Sequence, residues 1–301
     1  KERQEYEFRA ADMGNVFHSA VEKYAGKLSE SKRSWISLTL EEQKELSDQC
    51  VDEAVTDYGN SVLYSTSRNQ YMVTRMKHMM NRTVWALTEQ LRRGDFQPEA
   101  SELSFGSGKI DRVDTCLEDD TVYVKVVDYK TGHKEFRLSE VVEGINLQML
   151  IYILSICQNG GPHIGDKPAV PLQEDSPIQP AGVLYLPAKL PVVRVGRDAD
   201  DEVTEKERTK AMRMNGLLLD NPEIVRAMEA DAAGLFIPAR IGSGGKYLAG
   251  SSVASLRQFG LLKERIEKLL CEMAATLRRG DVAALPAAGS VDACAWCDYR
   301  A

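Results

Sequence analysis

A chain of 301 residues, 43% hydrophobic and 28% charged, has the composition of an ordinary globular protein and excludes a disordered or low-complexity one. It is long enough for one elaborated domain or two small ones, and no run approaches the roughly 18 apolar residues of a membrane span. With 38 basic against 45 acidic residues the net charge is -7, so long-range attraction alone will not hold it on DNA.

A nucleic-acid role therefore needs a local groove, metal ions or delivery by another module. No signal peptide opens the sequence, and the cytoplasm is the expected location. Of six cysteines, Cys50, Cys116, Cys157 and Cys271 are far apart in apolar segments and read as buried intracellular thiols, leaving Cys294 and Cys297 near the end. The start at a Lys and the stop soon after Cys297 suggest a piece of something longer.

In chain order, Met13, Phe17, Val21, Tyr24 and Leu28 recur three or four apart and predict a helix over 11–28. Thr39 and Glu42 form a capping box that starts a second helix. A third is expected from about Asn69 to Arg93, stopped by Gly94. The pattern then changes to period two: 101–106, 108–117 and 121–130 read as strands, the last rich in β-branched and aromatic residues. A densely apolar helix follows from about Leu138 to Cys157, then an irregular Gly- and Pro-rich stretch over 159–178. Residues 181–187 and 191–195 suggest a hairpin, and helices are expected at about 203–217, 221–233 and 252–279. This order predicts one α/β domain over 1–301: a helical part at 11–94, a sheet and helix at 101–195, helical decoration at 196–279 and a tail at 280–301.

If Asp119 and Asp120 make the tip of a hairpin, Asp111 faces Asp128, Val113 faces Val126 and Lys109 faces Lys130. Alternation puts Asp128 and Lys130 on the sheet face that also carries Val113, Leu117, Val122, Val124 and Val126. Two carboxylates and an ammonium then stand at one end of an apolar face, where charge is costly unless paired or bound to metal. A divalent cation between the carboxylates would relieve their repulsion, and hard oxygen ligands favour Mg2+ or Mn2+. The plainer alternative is an Asp–Lys ion pair at a strand end.

Gly108-Lys-Ile-Asp-Arg-Val-Asp114, Val127-Asp-Tyr-Lys-Thr-Gly132, Gln148-Met-Leu-Ile-Tyr152 and Gly14-Asn-Val-Phe-His18 together resemble the RecB-family branch of the PD-(D/E)XK nucleases, especially its AddB-like members. The resemblance runs from about residue 5 to 299. It implies a restriction-endonuclease-like α/β core, a mixed sheet flanked by helices, with a helical insertion after His18. It also implies that His18, Asp111, Asp128 and the Tyr129 carbonyl bind Mg2+, for which Mn2+ can substitute, and that Lys130 is the catalytic lysine. Gln148 and Tyr152, four apart and so on one helix face, are placed beside the substrate by the same resemblance, where spacing alone reads as partial core packing. Glu102 stands where related nucleases often carry an acid. Asp114 falls on the opposite strand face, across from Lys125, and reads as a pairing partner.

The implied reaction is Mg2+-dependent hydrolysis of a DNA phosphodiester without a covalent intermediate, leaving a 5'-phosphate and a 3'-hydroxyl. By the same resemblance the domain cuts the 5'-ended strand, delivered as a single-stranded end by a helicase and an AddA-like helicase-nuclease subunit, during double-strand-break repair by recombination. Cys294-Ala-Trp-Cys297 resembles the start of the family's [4Fe-4S] cysteine set, but supplies two of four thiolates. An intact cluster is expected in the full-length protein and not in this chain. The other readings are a catalytically idle scaffold guiding single-stranded DNA and a stand-alone iron-sulfur exonuclease. Arg75, Lys77, His78 and Arg82, and the loop from Arg240 to Lys246, are expected to be mostly solvated surface.

Overall fold

The computed structural model describes residues 10–59, 66–105, 108–159, 163–164, 167–168, 176–196 and 200–283. Three helices lead: α1 (Ala10–Glu30), α2 (Leu40–Gly59) and α3 (Ser67–Arg92), with a 3-10 turn at Trp35–Ser37 between the first two. The capping box at α2 is formed, for the Thr39 N–H donates to Glu42 at 2.8 Å and the Glu42 N–H donates to Thr39 Oγ1 at 3.2 Å. Along α3, Val73, Met76, Met80, Val84, Leu87 and Leu91 are buried at helical spacing, as the sequence pattern requires. Gly94 follows this helix for a packing reason: a Cβ there would lie 2.4 Å from the Ala227 carbonyl oxygen.

The strands come next. β1 (Gln97–Phe105), β2 (Gly108–Glu118) and β3 (Thr121–Lys130) form an antiparallel meander. Asp119 and Asp120 have φ of +46° and +57°, the left-handed pair of a tight hairpin turn, and Val113 faces Val126 as expected. After β3 come α4 (Leu138–Val142), α5 (Gln148–Asn159) and the two-residue strands β4 (His163–Ile164) and β5 (Lys167–Pro168). β6 (Ile178–Pro187) then lies parallel to β3, an arrangement that needs such a crossover. β7 (Asn215–Leu219) pairs antiparallel with β6, and β8 (Val253–Ala254) parallel with β7. The six strands make one mixed sheet in the order β1-β2-β3-β6-β7-β8. Three further helices, α6 (Asp201–Lys210), α7 (Pro222–Met228) and α8 (Leu256–Arg278), complete the described chain.

The sheet separates two cores. On one side Cys116, Val127 and Tyr129 pack with Phe17, Tyr24 and Met76 from α1 and α3; on the other Val113, Val124 and Val126 pack with Leu150 and Ile153 of α5 and Phe259 and Ile266 of α8. Within the first core sits a fully buried charge cluster. Arg112 Nε reaches Asp114 Oδ1 at 2.5 Å, and Lys125 Nζ lies 3.0 Å from Asp114 Oδ2. Burial works against the Asp114 carboxylate, but the charges of Arg112 and Lys125 prevail and hold it below the usual range. This is the pairing expected for Asp114.

Several expectations are corrected. Leu117 is 52% exposed, standing at the hairpin end of β2 two residues before the Asp119–Asp120 turn. The helix expected over 138–157 breaks into α4 and α5, with Gly144 at φ +85° and Asn146 at φ +59° between them. Residues 191–195 form no strand, and β6 instead pairs with β3 and β7. The helix expected over 203–217 stops at Lys210, since Asn215–Leu219 is needed as β7. The helix expected over 221–233 ends at Met228. Cys271 is exposed rather than buried. Much of 159–178, and Cys294 and Cys297, lie outside the described residues.

Candidate metal centre and active site

The register of β2 against β3 carries Asp111 and Asp128 to the same end of the sheet, and the helix α1 brings His18 over it. Spacing of three and four along α1 puts Asn15, His18, Ser19 and Glu22 on one face, and all four line an open cleft of about 360 Å3. The other walls are Glu102, Lys109, Asp111, Asp128, Lys130 and Gln148. A larger cavity of about 550 Å3 runs along α1 and β1 but shares only Glu22 with this cleft and holds none of the expected site residues.

His18 Nδ1 stands 3.4 Å from Asp111 Oδ1 and 3.8 Å from Glu102 Oε1. Asp111 is oriented by the chain itself, because the Tyr129 backbone N–H donates to its Oδ2 at 2.6 Å and leaves Oδ1 toward the histidine. Lys130 Nζ lies 2.6 Å from Asp128 Oδ2. Glu102 sits on β1 with φ +50°, a left-handed conformation that a non-glycine residue adopts at a cost, and Lys109 reaches its Oε2 at 3.7 Å. Gln148 and Tyr152 share a face of α5 and bond to each other, the Gln148 amide donating to the Tyr152 hydroxyl at 2.6 Å. That hydroxyl occupies the space a Cβ on Gly108 would need, only 2.6 Å away, which accounts for glycine at the start of β2.

The electrostatics show crowded negative charge. Burial pushes the Asp128 carboxyl up, the adjacent Asp111 charge adds to this, and it reaches about 6 in spite of Lys130. Burial raises Glu102 as well. Burial alone would lower His18, but hydrogen bonding and the charges of Asp111 and Glu102 outweigh it and push the imidazole up to about 10. This crowding of carboxylates is what a bound cation would relieve.

The donor set fits a divalent ion. One ligand atom each from His18, Glu102 and Asp111 lie within 4.8 Å of one another, and Glu102 Oε1 is buried with no hydrogen-bond partner among the described residues. The two carboxylates are hard oxygen ligands of the kind that Mg2+ and Mn2+ prefer, and the imidazole is a borderline ligand beside them. Asp128 lies outside that tight trio, leaning on Lys130, though in the same cleft. The sequence pattern marks Glu102 only as a position where related nucleases often carry an acid, and the structure groups it with His18 and Asp111. The same pattern offers Asn15, Ser19 and Glu22 through their helical spacing around His18, and Lys109 two residues before Asp111 on the same side of β2, but assigns none of them a role in the site. None of Arg75, Lys77, His78, Arg82 or residues 240–246 lines the cleft, and Lys77 and Arg82 pair elsewhere, with Asp52 and Glu205.

A family model described as the PD-(D/E)XK nuclease superfamily matches residues 1–301. Among curated proteins the chain is 30% identical over 322 residues to the B-type subunit of the ATP-dependent helicase/deoxyribonuclease of Acetivibrio thermocellus, covering 99% of this chain and 27% of the relative. The protein of the same name from Alkaliphilus metalliredigens is 31% identical over 325 residues, covering 100% of this chain and 27% of its own length. The chain therefore spans about a quarter of the length of these relatives.

Proposed function

Because the chain belongs to the PD-(D/E)XK nuclease superfamily, we propose that it is a Mg2+-dependent deoxyribonuclease that hydrolyses phosphodiester bonds of single-stranded DNA. The observation that carries this is the convergence of His18, Glu102, Asp111, Asp128 and Lys130 on one open cleft. His18, Asp111 and Asp128, with the Tyr129 carbonyl, are the ligands that the resemblance implies, and the geometry adds Glu102 to them. When bound, the ion supplies Lewis acidity to the scissile phosphate.

The remaining work falls to the chain's own residues. The Tyr129 N–H fixes one oxygen of Asp111, so the ligand position is preorganised by the strand and not by a mobile side chain. Lys130, held beside Asp128, is placed to orient an attacking water by hydrogen bonding and to meet the negative charge that grows on the phosphate. The Gln148 amide, held by Tyr152, lines the same cleft and positions the strand next to the reacting bond.

The resemblance further supports a role in a helicase-nuclease of double-strand-break repair, working with an AddA-like partner on the 5'-ended strand in the cytoplasm. The net charge of -7 fits a domain to which DNA is fed and which does not gather it unaided. Among the described residues no helix is long and apolar enough to cross a membrane. A [4Fe-4S] cluster on Cys294 and Cys297 belongs to this proposal for the full-length protein, and no step of the reaction is assigned to it.

The test is cleavage of a linear single-stranded oligonucleotide with Mg2+, Mn2+ or EDTA, beside Asp128→Ala and Lys130→Ala. Metal-dependent cleavage by the parent chain, lost in both variants, is the expected result. A folded parent chain that neither cleaves nor binds Mn2+ would favour the idle scaffold instead.

A further inference from the structure

A second cleft, of about 300 Å3, opens beside the first and shares Lys130 and Gln148 with it. The two differ in sign. Glu22, Glu102, Asp111 and Asp128 line the first, whereas among the described residues no carboxylate lines the second, whose other charged or titratable members include His133 and Lys134. We propose that this second cleft is a subsite for a backbone phosphate flanking the scissile one on the substrate strand, with Lys134 as the group that grips it. The inference rests on the nuclease reading and deepens it by assigning the path of the strand: from the acidic cleft, past Lys130 and Gln148, to Lys134.

Lys134 is built in rather than dangling. The Asn215 side-chain amide donates to the Lys134 carbonyl at 2.9 Å, and its Oδ1 accepts the Phe136 N–H at 2.7 Å, so one residue of β7 pins the loop that follows β3. The Lys134 ammonium donates to Asn146 Oδ1, and the Asn146 amide in turn donates to Glu140. The only side-chain hydrogen bond of Lys134 among the described residues therefore goes to a neutral acceptor, with the carboxylate one residue further back. Two of its three ammonium donors are left for an anion. Burial also draws the Lys134 pKa down, against the charge of Glu140, as expected where anionic compensation is incomplete. Asn146 holds its acceptor in place from a left-handed backbone position, φ +59°, in the break between α4 and α5.

The experiment compares Lys134→Gln, which keeps a donor for Asn146, with the parent chain and with the exposed-surface control Lys268→Ala on α8. Each is assayed with Mn2+ on a single-stranded oligonucleotide over a range of NaCl, and on the p-nitrophenyl ester of thymidine 5'-phosphate, which has one phosphodiester and no flanking phosphate. The expected outcome for Lys134→Gln is roughly a tenfold loss of kcat/KM on the oligonucleotide, carried by KM, with a salt slope shallower by about 0.7 for one lost phosphate contact. Hydrolysis of the ester is unchanged, and Lys268→Ala matches the parent on both substrates. An equal loss on both substrates, or no loss on either, would overturn the subsite while leaving the nuclease reading intact. Failure of the parent chain to cleave either substrate would count against the nuclease reading itself.

Discussion

Asp111 illustrates how much a single residue depends on its neighbours: one carboxylate oxygen is held by the Tyr129 N–H and the other faces His18. Ligand and catalytic roles separate here. His18→Ala or Glu102→Gln is expected to weaken Mn2+ binding by more than about 10-fold in a calorimetric titration, since losing a ligand costs at least as much as losing one of the outer groups that orient it, itself about 10-fold to 100-fold. An unchanged affinity in both would remove these residues from the centre. Gly108 gives a second prediction at this scale. Gly108→Ala drives a methyl group into the Tyr152 hydroxyl and displaces Gln148, so cleavage falls, and the double variant with Tyr152→Phe regains room and part of its stability. If the double variant melts no higher than Gly108→Ala alone, the contact is not the reason for the glycine. His18, Asp111, Asp128 and Lys130 were legible as motif residues. The central position of Glu102 was not, because it follows from the pairing of β1 against β2, which no local pattern specifies.

Among elements, the β2–β3 hairpin was the most readable, since two aspartates at a tight turn and uninterrupted alternation fix a register that a slip of one residue would invert. β7 was the least readable. Asn-Gly-Leu-Leu-Leu is too short to show a period and follows a charged helical run, and only the open edge of β6 makes it a strand. The hairpin also carries the buried Arg112–Asp114–Lys125 cluster directly behind the site. Removing one partner leaves buried charge uncompensated, so Asp114→Ala is expected to lose about 3–5 kcal/mol of stability in denaturant unfolding. A change below about 1 kcal/mol would show that the cluster does not lock the two strands.

For the whole molecule, one sheet holds α1–α3 against one face and α5 and α8 against the other, and the site forms where α1, β1, β2, β3 and α5 meet. A ligand that binds the folded state alone stabilises it by mass action, about 2.7 kcal/mol at a hundredfold excess over its Kd. Mn2+ is therefore expected to raise the Tm of the parent chain by several degrees, EDTA to reverse this, and Asp111→Ala to abolish it. A shift of equal size in Asp111→Ala would place the ion elsewhere. The layered α/β class was legible from the order of periodicities, and the mixed sheet only through the resemblance, since the parallel pairing of β6 with β3 leaves no mark in either strand.

If one cleft holds both a metal site and a separate catalytic ammonium, Lys130→Ala separates the two. Mn2+ affinity and single-strand cleavage are measured on the same preparation. This division of labour predicts Mn2+ binding at least as tight as in the parent chain, because Asp128 loses a competing cation, together with a fall in kcat of about 10²–10³, the size expected when a group facing the developing charge is removed. Cleavage at the parent rate, or loss of Mn2+ binding along with cleavage, would contradict it.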